Sequence, residues 1–210
     1  MAINHDSSAS KEESYADLQK EIDRIFFLTG IHIDSILEEI EEEDGNTTMF
    51  QLICSSPSIS ANVAESLSAH RITTQQWEDN NLSVQLRLWT LAQKEVTLAA
   101  KVNLLFQIIE IEHPKKESYP EYKNPEDTNA EPIDFPHPMT ESRLLRNLVS
   151  HSKGEPQQIQ LKRYCRRIGL DSTHDPTNPN FLSKIQERLH IPREQAKEII
   201  DGKIYRTQTS

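Results

Sequence analysis

The sequence predicts an all-α protein. Only five of its 210 residues are glycine, prolines are concentrated in one segment, and helix-favouring Leu, Ile, Glu, Gln and Lys are abundant throughout. No run of alternating polar and apolar residues indicates a strand. The chain is also long enough to bury a core without disulfides or metals, so we expect a helical bundle.

The N-terminal region is predicted to be a disordered segment followed by helices. Residues 1–13 are polar, whereas apolar residues recur at helical spacing over about 14–28, where Gly30 ends the pattern. Residues 33–43 are predicted to form a second, short helix. Residues 14–80 are therefore predicted to be N-terminal helices that pack on the bundle. The apolar residues of the first helix are Tyr15, Leu18, Ile22, Ile25, Phe26 and Leu28.

The longest predicted helix runs from Leu82 to Glu112. A narrow polar stripe follows it as far as Lys101, and most of its remaining surface is apolar, as expected of a central helix. Beyond Lys101 the stripe is replaced by Leu105 and Ile108, which require cover from another helix or from a second subunit.

Six prolines between residues 113 and 139 then predict a long loop. Helices are expected at about 140–152, capped by Thr140, and at about 155–168, ended by Gly169. The last two helices, near 180–190 and 192–201, form a predicted C-terminal hairpin. Residues 81–170 thus make the core of the bundle, with long antiparallel central helices, and residues 171–210 make the hairpin and tail.

Composition places the protein in a reducing compartment. Its two cysteines lie far apart, the N-terminus lacks the pattern of a signal peptide, and the most apolar segment is interrupted by charges, so we expect a cytoplasmic protein without a membrane span. The histidines other than His151 are scattered and no Gly-rich phosphate loop is present. We therefore expect neither a metal site nor a cofactor.

The charge distribution is uneven. The formal net charge is −10, and residues 1–45 alone carry 13 acidic and three basic residues, which leaves the rest of the chain about neutral. Residues 141–168 carry seven basic and two acidic residues. A basic region of this kind is compatible with binding to nucleic acid.

One motif combines residues suited to RNA cleavage. On the helix that follows Thr140, four apolar residues form the predicted buried face, and Arg146, Asn147 and His151 lie around the other side. Histidine titrates near neutral pH, and arginine binds phosphate with two donors. The apolar residues are Leu144, Leu145, Leu148 and Val149.

This motif resembles that of the HEPN superfamily, in which an arginine and a polar residue are followed by three variable residues and a histidine on a late bundle helix. Residues 82–170 carry the resemblance. It implies a HEPN-like helical bundle and a metal-independent endoribonuclease. In such an enzyme His151 acts as acid or base, Arg146 stabilises the phosphate, and Asn147 orients His151 or the scissile phosphate. It also implies a toxin or antiviral defence effector that an antitoxin or regulatory protein restrains.

RNA cleavage by attack of the 2′-OH needs both a base and an acid, yet one helix offers one histidine. The chemistry therefore predicts a homodimer that juxtaposes the two motif helices, and the resemblance implies the same assembly. A basic helix would hold the RNA backbone, with Tyr164 as the candidate for base stacking. The predicted RNA-binding residues are Lys153, Lys162, Arg163, Arg166 and Arg167.

Other interpretations stay open. Arg146 can be an ordinary surface charge and His151 a residue that favours the helix C-terminus, and the basic residues can form a solvated face. A HEPN-like fold can bind RNA or protein without cleavage. Finally, residues 185–203 resemble part of a helix-turn-helix, which would make the chain a DNA-binding regulator that uses Arg193 and Lys197.

Overall fold

The fold is described from a computed structural model of the chain. The chain divides into two compact units, Met1–Glu78 and Asp79–Ser210, and each is described separately. No helix within the described ranges is both long and apolar enough to cross a membrane. The structure describes residues 11–42, 45–54, 67, 72–73, 76–77, 80–122, 134–150, 159–170 and 178–205.

The first unit begins with helix α1, Lys11–Thr29, which starts three residues before its predicted position. Leu18, Ile22 and Ile25 follow helical spacing and are all buried in one small core. Gly30 then adopts a φ of 69°, a left-handed conformation that glycine reaches without strain. The prediction of a helix that Gly30 ends is confirmed.

An antiparallel hairpin follows, and the prediction of a helix over residues 33–43 is wrong. Strand β1, Ile33–Glu42, pairs with strand β2, Gly45–Cys54, in a register that sets Ile33 opposite Cys54 and Glu42 opposite Gly45. The glutamates of β1 favour helix locally, but pairing with the β-favouring residues of β2 overrides that preference. This hairpin is an exception to the predicted all-α class, and the described chain is predominantly helical.

The second unit is helical in all its regular described elements, which confirms the predicted class for this unit. Helices α2, Asn80–Lys94, and α3, Leu98–Glu112, come first. Four more helices follow along the chain: α4, Pro138–Ser150; α5, Ile159–Arg167; α6, Pro179–Arg188; and α7, His190–Tyr205. The two predicted C-terminal helices are thus confirmed as α6 and α7.

The single long helix predicted over residues 82–112 is instead two helices. The Nε2 of Gln85, near the start of α2, donates to the carbonyl of Ile108, near the end of α3, at 3.2 Å, so the two helices run antiparallel. The break lies at Thr97, whose backbone is extended. Glu95 accepts hydrogen bonds there from the backbone N–H and the hydroxyl of Thr97, at 2.8 and 3.0 Å. These local bonds compete with continuation of the helix.

Helix α3 occupies the centre of this unit and packs against α2, α4, α6 and α7. Leu105 and Ile108 are fully buried there. Of the two explanations offered by the sequence, cover by the chain's own core therefore accounts for them. A core cluster that includes Leu145, Leu161 and Ile185 joins α4, α5 and α6 beside α3.

The described ends of the proline-rich loop pack onto this unit. Lys116–Ser118 forms a short 3₁₀ turn. Tyr119 and Tyr122 are buried, and their hydroxyls donate to the carbonyls of His113 and Asp134, each at 2.9 Å. Residues 123–133 lie outside the described residues.

Two predicted helix boundaries have different outcomes. Helix α4 begins at Pro138 rather than at 140, and Thr140 is not its cap: the hydroxyl of Thr140 is buried and donates to the carbonyl of Pro120. Helix α5 ends as predicted at Gly169, which has a φ of 75°. The N–H groups of Gly169 and Leu170 bond back to the carbonyls of Arg166 and Cys165, which is the Schellman pattern.

Candidate active site on helix α4

Helix α4 presents one apolar and one polar face, as the sequence predicts. Leu144, Leu145 and Leu148 are buried in the core, which turns the polar residues toward the opposite side. Val149, also predicted to be buried, is only half-buried. The polar face consists of half-buried Arg143, Arg146 and Asn147 and exposed Ser150.

Arg146 and Asn147 are held together on this face. The Nη1 of Arg146 donates to the Oδ1 of Asn147 at 3.1 Å, and the guanidinium lies 5.4 Å from the ring centre of Phe106. Glu110 approaches to 4.0 Å, but both side chains are at least 39% exposed, so this ion pair is weak. The arginine is thus positioned by its neighbours and remains accessible to a phosphate.

The C-terminal end of α4 is tied to α3. The hydroxyl of Ser150 donates to the Oδ1 of Asn103 at 2.9 Å. His151 and Lys153, two of the predicted site residues, lie outside the described residues. His151 directly follows Ser150 in the chain, so the bond between Ser150 and Asn103 anchors the residue that precedes the histidine.

Arg143 extends this site toward the 3₁₀ turn. Its guanidinium lies 5.0 Å from the ring centre of Tyr119, and the rings of Tyr119 and Phe106 are 6.0 Å apart. The two arginines of α4 therefore rest on two adjacent aromatic rings. Burial and then the charge of Glu110 raise the pKa of Tyr119, against the opposing charges of both arginines.

A cleft of about 320 Å³ opens beside Arg143. The Nη2 of Arg143 donates across it to the Oε1 of Gln160 on α5 at 3.5 Å. Sequence reasoning missed this cleft because its walls come from three separate segments. The lining residues are Lys116, Glu117, Tyr119, Glu121, Arg143 and Gln160.

The predicted basic face of α5 is not uniform. Arg166 is exposed, whereas Lys162, Arg163 and Arg167 are half-buried. Arg167 lies over the ring of Phe135 at 4.0 Å. The Nε atoms of Arg163 and Arg167 are buried and make no hydrogen bond within the described part of the chain. Arg166 is therefore the residue of this set that presents its charge most directly to solvent.

Tyr164 cannot stack on a base, contrary to the prediction. Its side chain is fully buried, and its hydroxyl donates to the Oε1 of Glu141 at 2.7 Å. Burial first, and then the neighbouring Glu141, raise the pKa of Tyr164 well above its ordinary value. The tyrosine belongs to the core because α5 turns this side inward against α4.

A buried ionic cluster supports α4 from within. Glu141 binds both Tyr164 and Arg188 of α6, and the ring of Phe135 lies within about 4 Å of the guanidinium groups of Arg188 and Arg167. The sequence predicts no structural role for Glu141. Its partners are distant in sequence, so no local pattern could have revealed the cluster.

The C-terminal helices belong to the core of the second unit. Helix α7 packs against α2, α3 and α4 through a face that includes Ala196, Ile200 and Ile204. Lys197 pairs with Asp201, and Lys203 pairs with Glu112 at 3.0 Å. The Lys197 side chain is 55% exposed, so its ion pair is weak and leaves the charge accessible.

No three histidine, cysteine or acidic side chains lie close enough together to hold a metal ion, among the residues that the structure describes. Comparison with known proteins identifies no relative: no family model, curated protein or solved structure matches the chain.

Proposed function

We propose that the chain is a metal-independent endoribonuclease of the HEPN type. The observation that carries the proposal is the pairing of Arg146 with Asn147 on the accessible face of α4, where Asn147 precedes His151 by four residues in sequence. A cation and an amide held together in this way form a phosphate-binding group. The histidine that follows supplies a side chain that titrates near neutral pH.

In the proposed reaction, a base removes the proton from a ribose 2′-OH, which attacks the adjacent phosphate. An acid protonates the leaving 5′-oxygen, so that the strand breaks and a cyclic phosphate forms. Arg146 stabilises the charge that develops on the phosphate oxygens, and Asn147 orients the phosphate or the histidine. His151 provides one of the two proton transfers.

The second proton transfer requires another group, and the same histidine of a second copy can provide it. We therefore propose a homodimer in which two α4 helices face each other across a shared cleft. The exposure of Ser150 and the half-exposed Arg146 leave this face open to such a partner. Specific activity should then rise with protein concentration through the range where dimers form.

RNA contacts beyond the reacting phosphate are proposed for the basic residues after α4. Arg166 is exposed on α5, and Lys162, Arg163 and Arg167 are half-buried around it. Lys153, outside the described residues, is included for its charge and position in sequence. Binding through such residues is electrostatic and depends strongly on salt.

The test is cleavage of structured and unstructured RNA in EDTA by the wild type and by His151→Ala and Arg146→Ala. Each substitution should reduce the cleavage rate by at least about 100-fold, because positioned acid–base and electrostatic groups typically contribute 10²–10⁴-fold. His190→Ala and Arg193→Ala, which change the same residue types on α7, are matched controls and should cleave normally. Sedimentation of the same samples reports the oligomeric state.

Several results would contradict the proposal. Wild-type protein that binds RNA without cutting it would be a non-catalytic module, and preferential binding to duplex DNA that is lost in Arg193→Ala would make it a DNA-binding regulator. A protein that is strictly monomeric and still active would contradict the shared cleft.

A role as a toxin or defence effector, restrained by an antitoxin or regulatory protein, predicts that expression of the wild type but not of His151→Ala arrests growth.

A further inference from the structure

The cleft beside Arg143 has the size and the chemical groups of a nucleotide site. We propose that it binds one unpaired nucleotide of the RNA, next to the phosphate held by Arg146. The inference rests on the ribonuclease function proposed above for its biological ligand. Binding of a free mononucleotide, however, requires no cleavage and can be tested separately.

The volume of the cleft limits the ligand to a single nucleotide. At about 320 Å³ it lies at the lower end of the range for small-molecule sites, about 300–1,000 Å³. A base within a duplex is stacked on both faces and paired along one edge, so only an unpaired nucleotide can enter. The site therefore selects single-stranded RNA by shape.

Two cations of the lining suit the phosphate group. Lys116 is exposed at the 3₁₀ turn, and Arg143 is held over the ring of Tyr119 with part of its surface accessible. Arg143 precedes Arg146 by three residues on the same helix, a rise of about 4.5 Å. The phosphate in the cleft and the phosphate at Arg146 would thus be near neighbours along one strand.

The remaining polar residues of the lining are Gln160, Glu117 and Glu121, and they can contact the base. The Oε1 of Gln160 already accepts from Arg143, which leaves its amide N–H groups as donors, and the two carboxylates only accept. Each base presents at least one donor and one acceptor on its pairing edge, so these groups can bind any of them.

The test is titration of the full chain with AMP, CMP and UMP in EDTA, followed by NMR or calorimetry. All three nucleotides should bind, because each carries the same phosphate and each base can present a donor and an acceptor to Glu117 and Gln160.

Two neighbouring lysines provide a matched comparison. Lys116 lines the cleft, whereas Lys115 is also exposed but does not. Lys116→Gln should weaken AMP binding about fivefold, as expected for one exposed ion pair, and Lys115→Gln should weaken it less than about twofold.

Two outcomes would overturn the nucleotide site: no binding of AMP, or equal effects of the two lysine variants on AMP binding. The site and the proposed function fail in different ways. RNA cleavage without AMP binding would contradict the nucleotide site but not the ribonuclease function. AMP binding that depends on Lys116, in a protein that cleaves no RNA, would contradict the ribonuclease function but not the nucleotide site.

Discussion

Arg188 and Glu141, 47 positions apart, form a bidentate ion pair between α6 and α4: Nε lies 2.7 Å from Oε1, and Nη2 lies 3.0 Å from Oε2. The glutamate side chain is 2% exposed and the arginine side chain 21%. Burial acts to lower the pKa of Arg188, but the hydrogen bonds to Glu141 and the charge of that carboxylate together raise it. The pair anchors the first turn of the helix that carries Arg146.

Removal of Arg188 should strongly destabilise the protein. Arg188→Met leaves the buried carboxylate of Glu141 without its cation, and loss of one partner of a buried ion pair typically costs about 3–5 kcal/mol. Urea unfolding followed by circular dichroism measures the change in the free energy of unfolding.

Lys184→Met provides the control, because Lys184 forms an exposed pair with Glu187 on the same helix, at 3.1 Å. This exposed pair should contribute less than about 1 kcal/mol. Equal effects of the two substitutions would show that the Glu141 pair does not hold α4 in place.

Two buried threonines should respond to valine with opposite signs. The hydroxyl of Thr90 makes no hydrogen bond within the described part of the chain, whereas that of Thr140 donates to the carbonyl of Pro120. Thr90→Val removes a buried group without a partner and should stabilise the protein by up to about 1 kcal/mol. Thr140→Val breaks a bond and should destabilise it by about 1 kcal/mol.

Thermal or urea unfolding of both variants measures these changes. The two substitutions alter the same side chain at sites that are each 1% exposed or less, so differences in apolar burial largely cancel. A loss of stability in Thr90→Val as large as that in Thr140→Val would mean that the Thr90 hydroxyl is hydrogen-bonded after all.

Burial of Cys165 should make stability fall in alkali. Burial raises the pKa of its thiol from 9.0 to about 11. Between these values the unfolded chain releases a proton that the folded chain retains, so the free energy of unfolding falls as pH rises. Well below pH 9 the thiol is protonated in both states and has no effect. Its full contribution is up to about 3 kcal/mol, and Tyr164, whose pKa is also raised, acts in the same direction at higher pH.

Urea unfolding from about pH 8 to about pH 11 tests this expectation, with Cys165→Ala as the comparison. The variant starts less stable because it loses buried volume, but it should lose less stability across the alkaline range. Parallel curves for the two proteins would exclude the thiol as a cause. Cys54 is present in both proteins and therefore does not affect the difference.

The features that sequence predicted correctly are local ones. Gly30 and Gly169 end helices because each adopts a positive φ that other residues avoid. The polar and apolar faces of α4 follow from helical spacing alone. Arg146 and Asn147 consequently lie where the motif predicted them.

The features that sequence missed depend on distant partners. Residues 33–42 form a strand because residues 45–54 pair with them, although their glutamates favour helix. Helix α3 folds back on α2 because a continuous helix of 31 residues, about 46 Å long, would leave Leu105 and Ile108 without the cover they have in the core. Tyr164 does not lie on the predicted RNA-binding surface, because its hydroxyl donates to Glu141 in the core.

The different environments of Arg166 and Arg167 lead to a last prediction about RNA binding. Arg166 is exposed on α5, whereas Arg167 lies over the ring of Phe135 at 4.0 Å. In a His151→Ala background that leaves RNA intact, Arg166→Gln should reduce the slope of log affinity against log salt concentration by about 0.7, the value for one phosphate contact on a single strand.

Arg167→Gln should change the slope less and lower the free energy of unfolding instead, by about 1 kcal/mol, through loss of its cation–π contact. Filter binding over a range of salt concentrations, combined with urea unfolding, separates these effects. Arg193→Gln on α7, where the guanidinium lies 5.9 Å from the ring centre of Trp89, should leave the salt slope unchanged. An unchanged slope in Arg166→Gln would mean that α5 does not contact the RNA backbone, and the proposed binding surface would then have to lie elsewhere around α4.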